Sequence, residues 1–341
     1  MLTPAHSLVI HFDDQMTRRN GKMGHGVLRF TSNPIAACID RQHHGRRSNE
    51  VLGFGPNCPV VENVEKALAI GGDVLVLGMA PSGGRLPSHL FEEVDRAVEG
   101  GLSIANGLHQ PLASRYPKLQ PGQWIWDLRV EPEGLGIGTA QAALLGNRRL
   151  LTLGTDMAIG KMTAGIEIWR EAERRGVRSA FLATGQIGIF VSGMGIALDA
   201  IRVDYACGAV ERMVLDAADA DLQIIEGQGS ILHPGSTSTL PLLRGSCPTH
   251  LVLCHRAGIK TVEGHDIPIP PLVELISLYE DLASASGSFL RPKTIGVALN
   301  TVDLDEDDAQ RALDTIMEET GLPATDPLRF SAAPLVDVLL P

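Results

Sequence analysis

The chain has 341 residues, of which 44% are hydrophobic, and its formal net charge is −11; two domains are the default expectation for this length. The acidic charge and an aromatic content of 4% argue against a nucleic-acid partner, because they supply neither a basic face nor a stacking platform. The five cysteines show no Cys-x-x-Cys spacing, and neither a signal peptide nor a membrane helix is indicated. We therefore predict a cytoplasmic protein with reduced thiols and no membrane partner.

Short apolar runs alternate with amphipathic segments along most of the chain. The strand-like runs are 73–80, 150–154, 179–185, 222–227, 250–255 and 294–300. The helix-like segments, with apolar residues at three- and four-residue spacing, are 61–71, 89–101, 161–176, 207–220 and 306–321. This alternation predicts an α/β fold with mainly parallel sheets.

A domain boundary is predicted at 140/141, which gives an N-terminal domain 1–140 and a C-terminal domain 141–341. The stretch 129–148 is rich in glycine and arginine and precedes an apolar run. Its Gly134, Gly136 and Gly138 superficially suggest a dinucleotide fingerprint. However, no strand precedes them and the third glycine is misplaced, so we interpret the stretch as a linker.

The sequence "GTDMAIGKMT" predicts a phosphate-binding loop between the strand that ends at Gly154 and a helix that runs to about Arg175. Backbone N–H groups at a helix N-terminus favour an anion, and a lysine adds a point charge. The spacing G-x5-G-K is one residue longer than the usual motif. The predicted cofactor-binding residues of this loop are Gly154, Thr155, Asp156, Gly160, Lys161, Met162 and Thr163.

Met162 occupies the position where nucleotide triphosphatases place a hydroxyl that coordinates magnesium. Thr163 comes one residue later, and the helix turns it by about 100° from the expected direction. Met162 therefore weakens the interpretation as a triphosphatase. A cofactor that presents a diphosphate without chemistry at phosphorus, such as coenzyme A, remains compatible with the loop.

Several longer motifs together resemble the D-glutamate N-acetyltransferase family, long described as a domain of unknown function with a P-loop C-terminal half. They are "GMAPSGGRLP", "NGLH", "GTDMAIGKMTAGIEI", "ATGQIGIFVSGMGIALDAIRVDYACGAVE", "IIEGQGSILHP" and "GLPATDPLRF". The resemblance extends from about residue 36 to 338. It implies a Rossmann-like N-terminal domain and a P-loop C-terminal domain. It also implies acetyl transfer from acetyl-CoA to the amino group of D-glutamate or a related D-amino acid, in D-amino-acid catabolism.

Glu226 and His233 are candidate catalytic residues in the C-terminal half. Glu226 ends a buried apolar run, where a carboxylate could bind magnesium or remove a proton from the attacking amine. Its alternative role is structural, with the carboxylate bonded to loop amides. His233, in "SILHPGS", is a proton shuttle or a surface histidine.

The N-terminal half offers candidate substrate-binding residues after two strands. "GMAPSGGRLP" supplies Ser82, Gly83 and Arg85, and Arg85 could hold a substrate carboxylate through a bidentate pair. "NGLH" follows the next strand, with Asn106 as a substrate ligand and His109 as a second candidate base. Ligands of open α/β sheets bind at such strand ends, although a plain loop with a solvated arginine is the alternative.

Other polar positions give weaker signals. The basic cluster within 40–53 matches no metal-ligand spacing and is interpreted as a solvated loop, so no metal site is predicted. Arg256, at another strand end, could face the coenzyme phosphates, and Asp204 could be a helix N-cap. Three prolines, Pro268, Pro270 and Pro271, argue against regular structure there, and the segment 256–272 is a lid or a subunit contact.

These observations predict a two-domain α/β enzyme with its ligand crevice between the domains, and the family resemblance implies that it is an acetyltransferase. The diphosphate of acetyl-CoA, the co-substrate, would lie on residues 154–163. Glu226, or else His109 or His233, would deprotonate the amine of a small-molecule substrate. The alternatives are a kinase or ligase that uses a magnesium nucleotide on the same loop, and a nucleotide sensor without turnover. A homo-oligomer, in the simplest case a dimer, is expected from size and class.

Overall fold

Parallel strands alternate with helices along the chain in a computed structural model, which describes residues 2–340. The strands are β1 (Leu8–His11), β2 (Ile35–Ile39), β3 (Val60–Val61), β4 (Val74–Leu77), β5 (Ser103–Asn106), β6 (Ile125–Asp127), β7 (Arg148–Gly154), β8 (Ser179–Leu182), β9 (Leu222–Ile225), β10 (His250–Arg256), β11 (Lys293–Asn300) and β12 (Ala324–Thr325). The helices are α1 (Lys22–Phe30), α2 (Ser48–Leu52), α3 (Val64–Ile70), α4 (Phe91–Glu99), α5 (Lys161–Arg174), α6 (Gln186–Ser192), α7 (Ala206–Asp216), α8 (Thr239–Ser246), α9 (Leu272–Ser284), α10 (Glu306–Thr320) and α11 (Ala333–Leu339). Across the described residues, no helix is long and apolar enough to cross a membrane.

The first sheet has six strands in the order β3-β2-β1-β4-β5-β6, and every pairing within it is parallel. This is the strand order of doubly wound dinucleotide-binding folds, with its switch point between β1 and β4. Strands β1 and β4 are buried along their whole length, because a parallel sheet with helices on its faces has no solvated side. The unit is therefore Rossmann-like, as predicted.

The second sheet also has six parallel strands, in the order β12-β11-β10-β7-β9-β8. The chain runs from β7 to the edge strand β8, returns to β9 beside β7, and then crosses to β10 on the other side of β7. The carboxyl end of β7 is thus a topological switch point, where ligands of open α/β sheets bind. A loop and the N-terminus of α5 follow directly.

The described residues form two compact units. One ends at Val130 and also contains Ile189–Gly193, whereas the other runs from Glu131 to Gly188 and resumes at Met194. The residues just before the division predicted at 140/141 therefore belong to the second unit. Within it, Thr139 donates two hydrogen bonds, from its backbone N–H (2.7 Å) and its hydroxyl (2.9 Å), to the carboxylate of Glu211.

Local sequence explains most element boundaries, and two local predictions need correction. The predicted helix after Gly160 is confirmed as α5, and α10 ends at Gly321 in the left-handed conformation. The 40–53 segment is not wholly a loop, because Ser48–Leu52 form α2. Asp204 is not a helix N-cap, since α7 has Tyr205 at that position. The prolines of 268–271 still allow an antiparallel bridge between Thr261 and Pro268.

Candidate active site

The phosphate loop occupies the carboxyl end of β7 and leads into α5, a helix of 14 residues. Ala158 (φ 54°) and Gly160 (φ 115°) both adopt left-handed conformations. Alternation of left-handed and right-handed residues turns successive N–H groups toward one point and forms an anion-binding concavity. The dipole of α5 adds to this potential. The geometry of the loop therefore fits a phosphate group.

Lys161 is the buried cation of this loop. Its side chain is 6% exposed, and Nζ donates a hydrogen bond of 2.7 Å to the backbone carbonyl of Asp156. Burial lowers the pKa of Lys161 to about 8, although the nearby carboxylates of Asp156 and Glu226 act in the opposite direction. The ammonium group is thus held inside the loop, and a bound anion would stabilise its charge.

Glu226 follows β9 and is anchored through one oxygen. Its Oε2 accepts hydrogen bonds from the backbone N–H groups of Thr184 (2.8 Å) and Gly185 (3.2 Å), just before α6. These two amides do not engage its Oε1. Burial raises the pKa of Glu226 to about 7, despite these two amides and the charge of Lys161, which lower it. The carboxylate is therefore oriented by loop amides and keeps one oxygen with which to accept a proton near neutral pH.

Two loop residues predicted to bind cofactor are engaged within the protein. The Thr155 hydroxyl lies 2.9 Å from Nδ1 of buried His255. The Asp156 carboxylate accepts from the backbone N–H groups of Met157 and Glu263, each at 2.6 Å. Both side chains are buried, so their contacts shape the loop.

The next loop residues and Arg256 lie at the surface of the unit. Met162 and Thr163 are half-buried, and Thr163 lines a cavity of about 350 Å³ beside the loop. Arg256 lines a separate cavity of about 370 Å³ together with Asp156. The Arg256 guanidinium is paired with Asp303 at 2.5 Å, which partly neutralises the charge that was predicted to face coenzyme phosphates.

His233 is half-buried, at a turn after β9. Its Nδ1 accepts from the backbone N–H of Gly235 at 3.0 Å, and its ring packs edge-on against His265 with centroids 5.0 Å apart. Because Nδ1 is an acceptor, the ring can donate from Nε2. A role as proton shuttle stays a prediction.

In the first unit, the two predicted loops lie side by side. Strands β4 and β5 pair in parallel, and the backbone N–H of His109 donates to the carbonyl of Gly84 at 2.8 Å. Ser82, Gly83 and Arg85 are exposed. Within residues 2–340, the Arg85 guanidinium has no carboxylate partner. It is available to a substrate anion.

Asn106 has a structural role that the sequence did not indicate. Its Nδ2 donates to the carbonyl of Gln110 (2.8 Å) and to Asp127 Oδ1 (2.7 Å), and its Oδ1 accepts from the N–H of Leu108. Both amide protons are used and the side chain is fully buried. The structure therefore leaves no donor on Asn106 for the substrate contact that was predicted.

Some residues of the site were missed by sequence reasoning. Thr184 and Gly185 hold Glu226, and the signal was "ATGQIG", which begins at the end of the predicted strand 179–185. His255 and Asn300 brace the phosphate loop, the latter through Nδ2 to the carbonyl of Ile159 at 3.2 Å. His255 lies near the carboxyl end of β10, which is next to β7, and Asn300 ends β11, one strand further. Ligands of parallel sheets bind at these strand ends, so the predicted sheet could have identified both residues as candidates.

Known proteins similar to the chain are found by sequence and by structure. Two family models match it: the Rossmann-like domain of unknown function DUF1611_N over residues 41–131, and the P-loop domain DUF1611_C over residues 136–336. A DUF1611 family protein from Anabaena variabilis ATCC 29413, solved as a crystal structure, has a TM-score of 0.93 and 48% identity, with 98% of this chain and 99% of that chain covered.

Two curated relatives carry the name D-glutamate N-acetyltransferase. The protein from Tritonibacter scottomollicae is 34% identical over 307 residues, which are 88% of this chain and 91% of the relative. The protein from Pseudoalteromonas sp. is 31% identical over 268 residues, which are 77% of this chain and 80% of the relative. The resemblance inferred from the sequence motifs is confirmed, and the chain belongs to the DUF1611 family, with its Rossmann-like N-terminal and P-loop C-terminal domains.

Proposed function

We propose that this protein is an N-acetyltransferase that transfers the acetyl group of acetyl-CoA to the amino group of D-glutamate or a related D-amino acid. The observation that carries the proposal is the pair of relatives named for this activity, which match 88% and 77% of the chain. The phosphate loop and the carboxylate of Glu226 supply groups that such a reaction requires.

The donor site is the loop from Gly154 to Thr163. Coenzyme A contains a diphosphate, and the N-terminus of α5, the left-handed loop residues Ala158 and Gly160 and the buried Lys161 ammonium suit such an anion. Acetyl transfer makes and breaks no bond to phosphorus. It therefore does not require the magnesium-binding hydroxyl that Met162 replaces. The amine acceptor carries carboxylates, which the exposed Arg85 can bind bidentately.

The proposed acid–base chemistry centres on Glu226. Its Oε1 takes a proton from the ammonium form of the acceptor, and the neutral amine attacks the thioester carbonyl. The C–N bond forms and the C–S bond breaks; the second proton that leaves the amine nitrogen passes to the departing thiolate of coenzyme A, and Glu226 returns its proton to solvent. The pKa of Glu226 near 7 suits a group that must accept and release a proton near neutral pH.

The test begins with binding. Calorimetric titration with acetyl-CoA, and separately with ATP and magnesium, is run on the wild-type protein, on Lys161→Ala and on Lys293→Ala. Lys293 is an exposed lysine at the amino end of β11, the opposite edge of the sheet, and serves as the matched control. Binding of acetyl-CoA that is lost only in Lys161→Ala supports the donor site.

Turnover follows, by release of free thiol from acetyl-CoA with D- and L-amino acids as acceptors. We expect the highest kcat/KM with D-glutamate. Tight binding of magnesium-ATP with no response to acetyl-CoA, or no thiol release with any amino acid, would overturn the proposal. The first of those results would favour a kinase or ligase on the same loop.

A further inference from the structure

A cavity of about 350 Å³ lies beside the phosphate loop in the second unit. Three segments line it: the loop and first turn of α5 (Ile159 to Ala164), the end of β11 with the residues after it (Ala298–Val302), and the turn after β12 (Asp326–Arg329). Its volume lies at the lower end of the range for small-molecule sites. Nothing in the chemistry proposed above uses it.

The walls of this cavity are largely apolar. Ile159, Ala164 and Leu299 are buried and contribute side chains. At the mouth, Leu328 is 44% exposed and Val302 is 71% exposed. Exposed large apolar side chains around a concave site indicate that an apolar ligand group covers them when bound.

The polar side chains of the cavity fix its shape. Asp326 Oδ2 accepts from the N–H (2.9 Å) and hydroxyl (2.7 Å) of Thr301, and its Oδ1 accepts from the N–H groups of Leu328 and Arg329, both at 3.1 Å. The guanidinium of Arg329 donates to the backbone carbonyls of residues 301, 304 and 305. The turn after β12 is thereby fastened to the end of β11, and the pocket is preformed.

The cavity and the phosphate site share Gly160 and Thr163. A ligand that fills both must join an anionic group to a group with apolar faces over a short distance. A nucleoside diphosphate has this composition, and coenzyme A contains one. We propose that the cavity binds the adenosine of the coenzyme while the loop binds its diphosphate; this inference rests on the proposed function for the identity of the coenzyme.

The carboxylate in the cavity also indicates which base is accepted. Guanine presents N–H donors that need an acceptor such as a carboxylate. Both oxygens of Asp326, the carboxylate lining this cavity, are already engaged by four donors. Asn300 also lines the cavity, and its Oδ1 accepts from the N–H of Val302 (3.1 Å), which leaves it capacity for one further donor. Guanine has more N–H donors than adenine and would leave more of them unsatisfied between the apolar walls, which is costly. The site therefore selects adenine over guanine.

The experiment uses Leu328→Ala, which removes an apolar wall at a partly exposed position, and Leu290→Ala as the matched control, because Leu290 is 67% exposed outside the cavity. ADP and GDP binding is measured by calorimetry. KM values are measured for acetyl-CoA and for acetyl-pantetheine, which lacks the adenosine diphosphate. Loss of one apolar wall contact is expected to raise the KM for acetyl-CoA and the Kd for ADP by about five- to tenfold.

We expect Leu328→Ala to leave the KM for acetyl-pantetheine unchanged, Leu290→Ala to change nothing, and wild-type protein to bind ADP more tightly than GDP. Acetyl transfer with no effect of Leu328→Ala on either acetyl-CoA or ADP would overturn the adenosine site while the proposed function stands. Weakened ADP binding in Leu328→Ala, in a protein that transfers no acetyl group, would support the adenosine site and overturn the proposed function.

Discussion

Asp156 and Glu263 are joined by a hydrogen bond of 2.6 Å, from the backbone N–H of Glu263 to Oδ2 of Asp156. The bond ties the phosphate loop to a hairpin that is closed by backbone bonds from Val262 to Ile267 and from Ile269 to Lys260. The hairpin lies within the segment 256–272, which the sequence suggested to be a lid or a subunit contact. One buried carboxylate thus links the order of this hairpin to the order of the loop.

Replacement of Asp156 by alanine is expected to loosen the hairpin. The variant loses the acceptor for Glu263 and also the one for Met157. A hydrogen bond to a charged acceptor contributes about 1.5–3 kcal/mol, so amide exchange at Glu263 should accelerate by about 10- to 100-fold. Hydrogen exchange with mass spectrometry measures this rate. Asp266→Asn, in the same hairpin and exposed, is the control, and unchanged exchange in Asp156→Ala would show that the hairpin is held by other contacts.

The pH dependence of kcat/KM for acetyl-CoA is expected to have two limbs. Glu226 must be ionised to accept a proton, and burial raises its pKa to about 7, so the rate should rise as pH increases through 7. Lys161 must be protonated to hold the diphosphate, and burial lowers its pKa to about 8, so the rate should fall above 8. In kcat the descending limb should move to higher pH, because the bound diphosphate stabilises the ammonium form.

The variant Glu226→Gln distinguishes the contribution of Glu226 to the pH profile from that of Lys161. The amide keeps the shape of the side chain but cannot accept the proton, so kcat should fall by about 10²- to 10⁴-fold and the ascending limb should disappear. Acetyl-CoA binding should persist. A variant that retains the ascending limb would assign the base to another residue, with His233 and His109 next in order.

Much of the fold could be predicted from the sequence because buried parallel strands and amphipathic helices have distinct periods. The apolar run 150–154, the loop and the helix at 161 follow in the order that β7 and α5 show. The shorter elements were missed for a physical reason. Strand β3 has two residues and α2 has five, and such lengths contain too few periods for a pattern to be visible.

The candidate site was predicted less completely, because hydrogen-bond partners depend on tertiary contacts. Glu226 was predicted as a candidate from its place at a strand end, whereas the amides that orient it come from Thr184 and Gly185, 42 and 41 positions away. Asn106 shows the same dependence on tertiary contacts. A polar residue at the end of a strand suggested a ligand contact, but Asp127 and Gln110 take both of its amide protons.

Arg85→Ala is expected to raise the KM for D-glutamate with little change in the KM for acetyl-CoA. The guanidinium is exposed and lacks a carboxylate partner within the described part of the chain, so removing it should not disturb the fold. Loss of one charged hydrogen-bonding contact corresponds to about a 10- to 100-fold weaker interaction. Steady-state kinetics with each substrate varied in turn measures both constants.

Two further variants test the role of Arg85 in binding the substrate carboxylate. Arg85→Lys keeps the charge but not the bidentate geometry, and should lie between wild type and alanine. Arg148→Ala, an exposed arginine at the amino end of β7, should match wild type. An unchanged KM for D-glutamate in Arg85→Ala would move the carboxylate contact to a different residue.

Gly227→Ala is expected to destabilise the second unit. A Cβ at this position would lie 1.6 Å from the backbone carbonyl oxygen of Thr152, and the N–H of Gly227 donates to the Thr152 hydroxyl at 2.9 Å. The backbone that follows Glu226 must therefore move away from β7, at a cost of about 1–3 kcal/mol or more.

Urea denaturation of Gly227→Ala and of Gly146→Ala measures the difference in the free energy of unfolding. Gly146 has no neighbour within 4 Å of an added Cβ, so its variant should stay within about 0.5 kcal/mol of wild type. Equal stability of the two variants would mean that β9 and β7 can separate there without cost, and would remove the steric reason for glycine at 227.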